Sequence, residues 1–286
     1  GPGGTLGQAL VNSPEVNGLT FTGSYDVGMG IYRSFAGGRW PRPLILEMGG
    51  KNAAIVSRHA DLNEAATGIV RSAFGLQGQK CSACSRVFVE EPVYEELLKL
   101  IEEKVAKMHV GDPVQLGIDC GPVINRKAQQ NFEQYCTELQ QAGHILCGGH
   151  ILTGEQYDHG YFCEPTVVTD VPLSHALWKT EMFLPITMIA KVGSLDAAMK
   201  LANDTQYGLT GGFYGSEEES HWFFQHIRAG VVYANRPQGA TTGAWPGFQP
   251  FGGWKASGSS GKNSGGLYYV QLYMHEQIQV SVRHDD

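Results

Sequence analysis

Two short stretches hold the residues best suited to chemistry: a cysteine among polar neighbours, Gly78-Gln79-Lys80-Cys81-Ser82, and a glutamate leading a glycine pair, Glu47-Met48-Gly49-Gly50-Lys51. A thiol can attack an electrophilic carbon and a carboxylate can deprotonate water, the two parts of a covalent acyl-enzyme mechanism. An arbitrary cysteine is more often a small buried hydrophobe. Cys81 departs from that expectation through Gln79, Lys80 and Ser82, whose polarity predicts a loop outside the core, with the Lys80 cation favouring thiolate. Glu47 follows the apolar run Pro43-Leu44-Ile45-Leu46, at the end of a predicted strand, where α/β folds hold their working groups. Gly49 and Gly50 then let backbone approach a ligand with no Cβ in the way.

Other groupings carry less. Cys81-Ser82-Ala83-Cys84 has CxxC spacing, but no second Cys or His pair follows at zinc-site spacing. A thioredoxin-like redox motif would open a helix, whereas a strand is predicted here. His144-Ile145-Leu146-Cys147-Gly148-Gly149-His150 reads as a short strand and a glycine turn after a helix end, and no metal centre is assigned. Phe21-Thr22-Gly23-Ser24 before Val27-Gly28-Met29-Gly30 reads as strand, turn and helix start, with free N–H groups suited to phosphate but without the usual dinucleotide spacing. Glu181-Met182-Phe183-Leu184-Pro185 and Pro250-Phe251-Gly252-Gly253 are, taken singly, an acid near an aromatic and a turn.

These residues need a scaffold, and 286 residues with 42% hydrophobic content can bury one large core or two ordinary ones. Asp61 can cap a helix with Glu64 at its third position, after which Leu62, Ala65, Ala66, Ile69, Val70 and Ala73 recur at helical spacing and deliver the chain to the Cys81 loop. Tyr94, Leu97, Leu98, Ile101, Val105 and Met108 mark a second amphipathic helix, and others are predicted over 126–142, 195–202 and 217–227. Strands are predicted over 44–46, 53–56, 86–90, 188–192 and 231–234. Their alternation with helices argues for an α/β layered fold.

Gly258 to Gly266 is the loosest segment, and residues 267–282 after it read as a β-rich tail too short to hold a core alone. The net charge of −7 offers no broad cationic surface, so binding to nucleic acid or anionic lipid through bulk charge is not expected. No apolar run approaches the ~18 residues of a membrane span. Six unevenly spaced cysteines predict reduced thiols, as in a cytoplasm or mitochondrial matrix. The start, Gly1-Pro2-Gly3-Gly4-Thr5, carries neither methionine nor a targeting segment, which predicts an N-terminal truncation.

Taken in order, Phe21-Thr22-Gly23-Ser24, Glu47-Met48-Gly49-Gly50-Lys51, Gly78-Gln79-Lys80-Cys81, Glu181-Met182-Phe183-Leu184-Pro185, Asn203-Asp204-Thr205-Gln206-Tyr207-Gly208-Leu209 and Pro250-Phe251-Gly252-Gly253 resemble the aldehyde dehydrogenase superfamily. The resemblance spans essentially the whole chain and corresponds to the C-terminal part of the family's usual length. Within it, Cys81-Ser82-Ala83-Cys84-Ser85-Arg86 and Thr242-Gly243-Ala244-Trp245 look like the 1-pyrroline-5-carboxylate dehydrogenases, which oxidise glutamate γ-semialdehyde to glutamate in proline breakdown.

The resemblance implies a three-layer α/β catalytic domain over residues 51–255, the C-terminal part of a Rossmann-like nucleotide domain over 1–50, and a tail over 256–286 with an oligomerisation strand, hence a homo-oligomer for the full-length chain. It implies Cys81 as nucleophile, Glu47 as the base for thioester hydrolysis, and Gly23 and Ser24 at the pyrophosphate of NAD, with NADP left open. Glu181 would bind the nicotinamide ribose and Phe183 pack beside the nicotinamide. Ser82, Gly243, Ala244 and Phe251 would hold a small aldehyde, a hydroxyl and backbone N–H groups being able to bind an α-carboxylate. The family's oxyanion asparagine would precede Gly1, so the segment alone is expected to turn over little. Another semialdehyde or an aliphatic aldehyde, or a non-catalytic oligomer partner, are the competing readings.

Overall fold

The computed structural model describes residues 1–245, 247–259 and 264–283. In chain order the elements are α1 (Gln8–Asn12), β1 (Leu19–Thr22), α2 (Tyr25–Ala36), β2 (Leu44–Glu47), β3 (Asn52–Val56), α3 (Leu62–Phe74), β4 (Cys84–Glu90), α4 (Tyr94–Val105), α5 (Arg126–Ala142), β5 (His144–Cys147), β6 (Thr166–Thr169), β7 (Ile186–Val192), α6 (Leu195–Asn203), β8 (Tyr207–Gly208), β9 (Thr210–Tyr214), α7 (Glu217–His226), β10 (Val231–Ala234) and β11 (Trp254–Lys255). A seven-stranded sheet runs β10-β9-β3-β4-β7-β6-β5, parallel except for β5 against β6. β1 and β2 form a separate parallel pair, and β11 pairs antiparallel with β8.

Period-two alternation along the buried strands sorts the core into two layers. Ala54 and Val56 of β3 and Val87 and Val89 of β4 face α3 and α4, meeting Ala65, Ala66, Ile69, Leu97 and Ile101. Ala53, Ile55 and Phe88 face the other way, toward Phe132 and Leu139 of α5, Ala198 and Met199 of α6, and Phe223 of α7. The result is the expected three-layer α/β arrangement. Asp61 caps α3 by accepting the Glu64 N–H at 3.0 Å. α7 opens with a reciprocal Ser216–Glu219 capping box.

Three expectations need correction. The helix predicted to reach Met108 ends at Val105, and β6 and β9 are strands that the sequence did not announce. Both are short and completely buried, and two glycines in β9 hide its strand character. The tail is not a strand among the described residues: a 3-10 turn spans Val270–Tyr273 and no strand follows it. Ile278, Val280 and Val282 alternate as a strand would, but all three are exposed, and among the described residues they pair with no strand. Of the loose segment from Gly258 to Gly266, residues 260–263 lie outside the described set.

The topology fixes where a site can form. Being parallel, β3, β4 and β9 all begin at one edge of the large sheet, with Asn52, Cys84 and Thr210. β2 ends at Glu47, and only residues 48–51 separate that end from the start of β3. The exit of the small sheet therefore faces the entry edge of the large one.

Candidate active site

Cys81 sits in the loop between α3 and β4. Three successive left-handed residues, Leu76, Gln77 and Gly78 (φ 56°, 57° and 66°), turn the chain into that loop. A Cβ on Gly78 would strike the Leu184 carbonyl, so only glycine permits this approach to the Glu181–Leu184 segment. Each carbonyl from Lys80 to Ala83 is held. Ala83 N–H donates to Lys80 O at 3.0 Å. Asn52 Nδ2 donates to Cys81 O at 2.7 Å and Ala83 O at 2.9 Å. Thr241 Oγ1 donates to Ser82 O at 2.7 Å.

The Cys81 thiol is half-buried and its pKa is pushed up to about 11, first by burial and then by Glu181 and Glu47, with the Ser82 and Cys81 N–H groups opposing. The expected help from Lys80 is absent: its charge is not among the groups that act on the thiol. Sequence adjacency placed a cation next to the cysteine, but burial and two carboxylates set the thiol's field.

Glu47 is the last residue of β2, as expected, and is buried. Its Oε1 accepts the Ser264 N–H at 3.3 Å, and its Oε2 has no partner among the described residues. Burial raises its pKa to about 7, with the Ser264 bond pulling the other way. The turn after it is clamped from the C-terminal region: Met48 N–H donates to Ser257 O at 3.0 Å, and Ser257 Oγ donates to Gly49 O at 2.6 Å. A Cβ on Gly49 would strike the Glu181 carboxylate, and one on Gly50 the Cys81 carbonyl. The glycine pair is therefore what brings the Glu47 turn, Cys81 and Glu181 together.

Glu181 Oε1 accepts the Gly50 N–H at 2.9 Å; burial raises its pKa, opposed by that bond and by Lys51. Phe183, left-handed at φ 57° and 47% exposed, lines one cleft with Gly50, Lys80 and Glu181. Gly23 joins this end through its N–H, which donates to Glu47 O at 3.0 Å, and Ser24 caps the 12-residue α2. Tyr25 and Asp26 of the first α2 turn and Glu181 all act on the Tyr207 hydroxyl, so the start of α2 and Glu181 face a common region. Helix-start N–H groups, a half-buried carboxylate and an exposed aromatic face are the chemistry that a pyrophosphate, a ribose and a nicotinamide would each need.

On the other side, Gly243, expected to hold substrate, has φ 112°, and Arg236 donates to Thr242 O at 2.9 Å and Gly243 O at 3.3 Å. Ala244 follows, half-buried. Ser82 is buried and tied to this loop through Thr241. Phe251 pairs with Ser264, whose N–H meets Glu47. Contacts link Cys81 with Gly50, Glu181 with Gly50, Ser82 with Thr241, and Glu47 with Gly23 and, through Ser264, with Phe251. Asn52, Thr241, Ser257 and Ser264 escaped the sequence reading, although Asn52 directly follows a quoted motif. Among the described residues no His/Cys/Asp/Glu cluster could hold a metal.

The site thus sets a cysteine and a glutamate where the small sheet meets the large one, within an α/β fold. The aldehyde dehydrogenase family model matches residues 1–278, and the chain belongs to that family. It is 40% identical over 279 residues to 1-pyrroline-5-carboxylate dehydrogenase of Geobacillus thermodenitrificans (strain NG80-2), covering 96% of this chain and 53% of that relative. The enzyme of the same name from Geobacillus kaustophilus (strain HTA426) is 39% identical with the same coverage. A solved 1-pyrroline-5-carboxylate dehydrogenase from Thermus with bound NAD superposes with a TM-score of 0.88 at 38% identity, over 96% of this chain and 52% of that one. The chain spans about half the length of these relatives.

Proposed function

We propose that this chain carries the nucleophile, base and substrate loop of an NAD-dependent aldehyde dehydrogenase whose substrate is glutamate γ-semialdehyde. The observation that supports it most is the convergence of Cys81 and Glu47 across the Gly49-Gly50 turn, with Ser82 tied to the Thr241–Gly243 loop. Residues 1–50 supply the nucleotide side, 51–255 the catalytic body, and 256–286 the tail of a homo-oligomer. The named relatives are bacterial, which supports the cytoplasm of the two compartments expected.

Cys81 Sγ forms a bond to the aldehyde carbon, and the carbonyl oxygen becomes an oxyanion to which the Cys81 N–H donates. As the oxyanion's electron pair re-forms the carbonyl, the C–H bond of the former aldehyde carbon breaks and its hydride leaves to the acceptor that NAD would supply when bound, with Phe183 flanking it. The thioester then left on Cys81 is cleaved by water: Glu47 takes a water proton, oxygen bonds to the acyl carbon, and the C–S bond breaks with sulfur leaving as thiolate. A carboxyl near pKa 7 is suited to that task at neutral pH. Ser82 and the Gly243 and Ala244 N–H groups hold the amino-acid end of the substrate without a buried cation.

NAD reduction by the full-length chain with glutamate γ-semialdehyde, succinate semialdehyde and propanal tests this reading. The first should be strongly preferred, Ser82→Ala should erode the preference, and Cys81→Ala should lower turnover by roughly 10⁴-fold or more. Unchanged turnover in Cys81→Ala would overturn it.

A further inference from the structure

We infer that Asn52 and Thr241 are positioning residues for the nucleophile, each fixing, through one peptide plane or two, a backbone N–H of the Cys81–Ser82 segment that carries the thiol. The inference rests on Cys81 being the nucleophile and concerns how its environment is built. In a planar peptide the C=O of one residue and the N–H of the next point in opposite directions, so holding the one aims the other. Asn52 Nδ2 holds Cys81 O at 2.7 Å, which fixes the Ser82 N–H. Thr241 Oγ1 holds Ser82 O at 2.7 Å, which fixes the Ala83 N–H; that group donates to Lys80 O at 3.0 Å, and the plane so held carries the Cys81 N–H. The two chains end on the Ser82 and Cys81 N–H groups, the two backbone groups that lower the thiol's pKa.

Both anchors are themselves locked. Asn52 is buried at the first residue of β3, and its Oδ1 accepts the Thr210 N–H at 3.0 Å from β9. Thr241 is fully buried, and its N–H donates at 3.1 Å to Ser72 Oγ on α3, which also bonds Thr242 Oγ1 at 3.0 Å. Both side chains use bonding capacity that a purely packing role would not need. Each chain of bonds also polarises its terminal N–H, which strengthens its lowering of the thiol's pKa. Because Thr241 lies in the loop that ends at Gly243 and Ala244, displacement of that loop would be felt at the Cys81 N–H.

The test measures iodoacetamide alkylation of Cys81 against pH in the full-length chain, followed on the Cys81 peptide by mass spectrometry. Thr241→Val keeps the shape and removes the hydroxyl; it should shift the alkylation profile to higher pH and slow alkylation about three- to tenfold at a fixed pH below the midpoint. Thr241→Ser should restore the wild-type profile. If Thr241→Val does not accumulate as folded protein, Thr241→Cys, a much weaker donor in the same space, takes its place with the same expectation. Asn52→Asp, which keeps the acceptor for Thr210 and loses both donations, should move the profile in the same direction. A thermal midpoint that falls while the alkylation profile stays at wild type would show a merely structural role and overturn the inference. That result would leave Cys81 standing as nucleophile, whereas turnover surviving Cys81→Ala would remove the reading beneath it.

Discussion

Two carboxylates, the buried Glu47 and the half-buried Glu181, act on the same thiol, and both have raised pKa values. Their surroundings differ in what holds the charged form. Glu181 accepts a 2.9 Å bond from Gly50 and feels the Lys51 ammonium, so its anion is engaged. Among the described residues Glu47 is met by Ser264, whose N–H donates to one oxygen at 3.3 Å, while the other oxygen is unpartnered. A carboxylate with a free lone pair and a pKa near 7 can take a proton from water; one already committed to a backbone donor is better suited to hold a ligand hydroxyl. Environment, with the side-chain type kept the same, divides base from binder.

The largest way to break that contrast is Glu47→Gln. It should lower steady-state turnover by about 10²- to 10⁴-fold and leave the first turnover's NADH burst intact, because acylation of Cys81 outlives the loss of the hydrolytic base. Rapid-mixing fluorescence reads both phases. If Glu181→Gln gave the burst with slow turnover instead, the roles would be reversed. In the wild type, turnover should rise with pH through a limb near 7, where Glu47 ionises, and Glu47→Gln should remove that limb.

The same group sets a stability effect of opposite sign. Glu47 has a folded pKa of about 7 against an ordinary 4.5, so the unfolded chain releases its proton first as pH rises. Folding stability contributed by this group falls between those two values, by up to about 3 kcal/mol, and stays lost above 7. Glu47→Gln should therefore be more stable than wild type at pH 8 and nearly equal to it at pH 4.5, read by urea denaturation at the two pH values. A variant that is less active and more stable is what a strained working carboxylate produces.

The elements of the fold that surrounds these carboxylates were legible in the sequence to different degrees. α3 and α5 could be read because a capping residue and a helical apolar period coincide, whereas β9, Thr-Gly-Gly-Phe-Tyr, shows neither a period nor β-branched density. Cys81 and Glu47 were visible because thiol and carboxylate are chemically distinctive beside glycine. Asn52, Thr241 and Ser264 are common polar residues whose work depends on partners 29, 159 and 217 positions away, a relation no local pattern encodes. The thiol's own field was misread for the same reason: Lys80 is its neighbour in sequence, and Glu47 and Glu181 are its neighbours in space. The tail shows the converse failure, with strand alternation at Ile278, Val280 and Val282 and no partner strand among the described residues to use it.

A smaller effect should come from Glu181→Gln. The amide oxygen can still accept the Gly50 N–H, so the turn is kept while the charge is lost; the expected change is a rise in the KM for NAD of about tenfold or less with no accumulation of thioester. The finest test removes only what distinguishes the two carboxylates' fields. Lys51 is fully buried, its amine is pushed down to about 7 by burial first and by Arg86 second, and it is one of the groups that lower Glu181. Lys51→Met fills similar space without charge, so it should push the Glu181 carboxyl further up while leaving Glu47, on which Lys51 does not act, where it is. Carboxyl ¹³C titration of the two glutamates reads both. A matching shift at Glu47 would mean that the two groups share one field, and the division between base and binder would then rest on the Gly50 hydrogen bond alone.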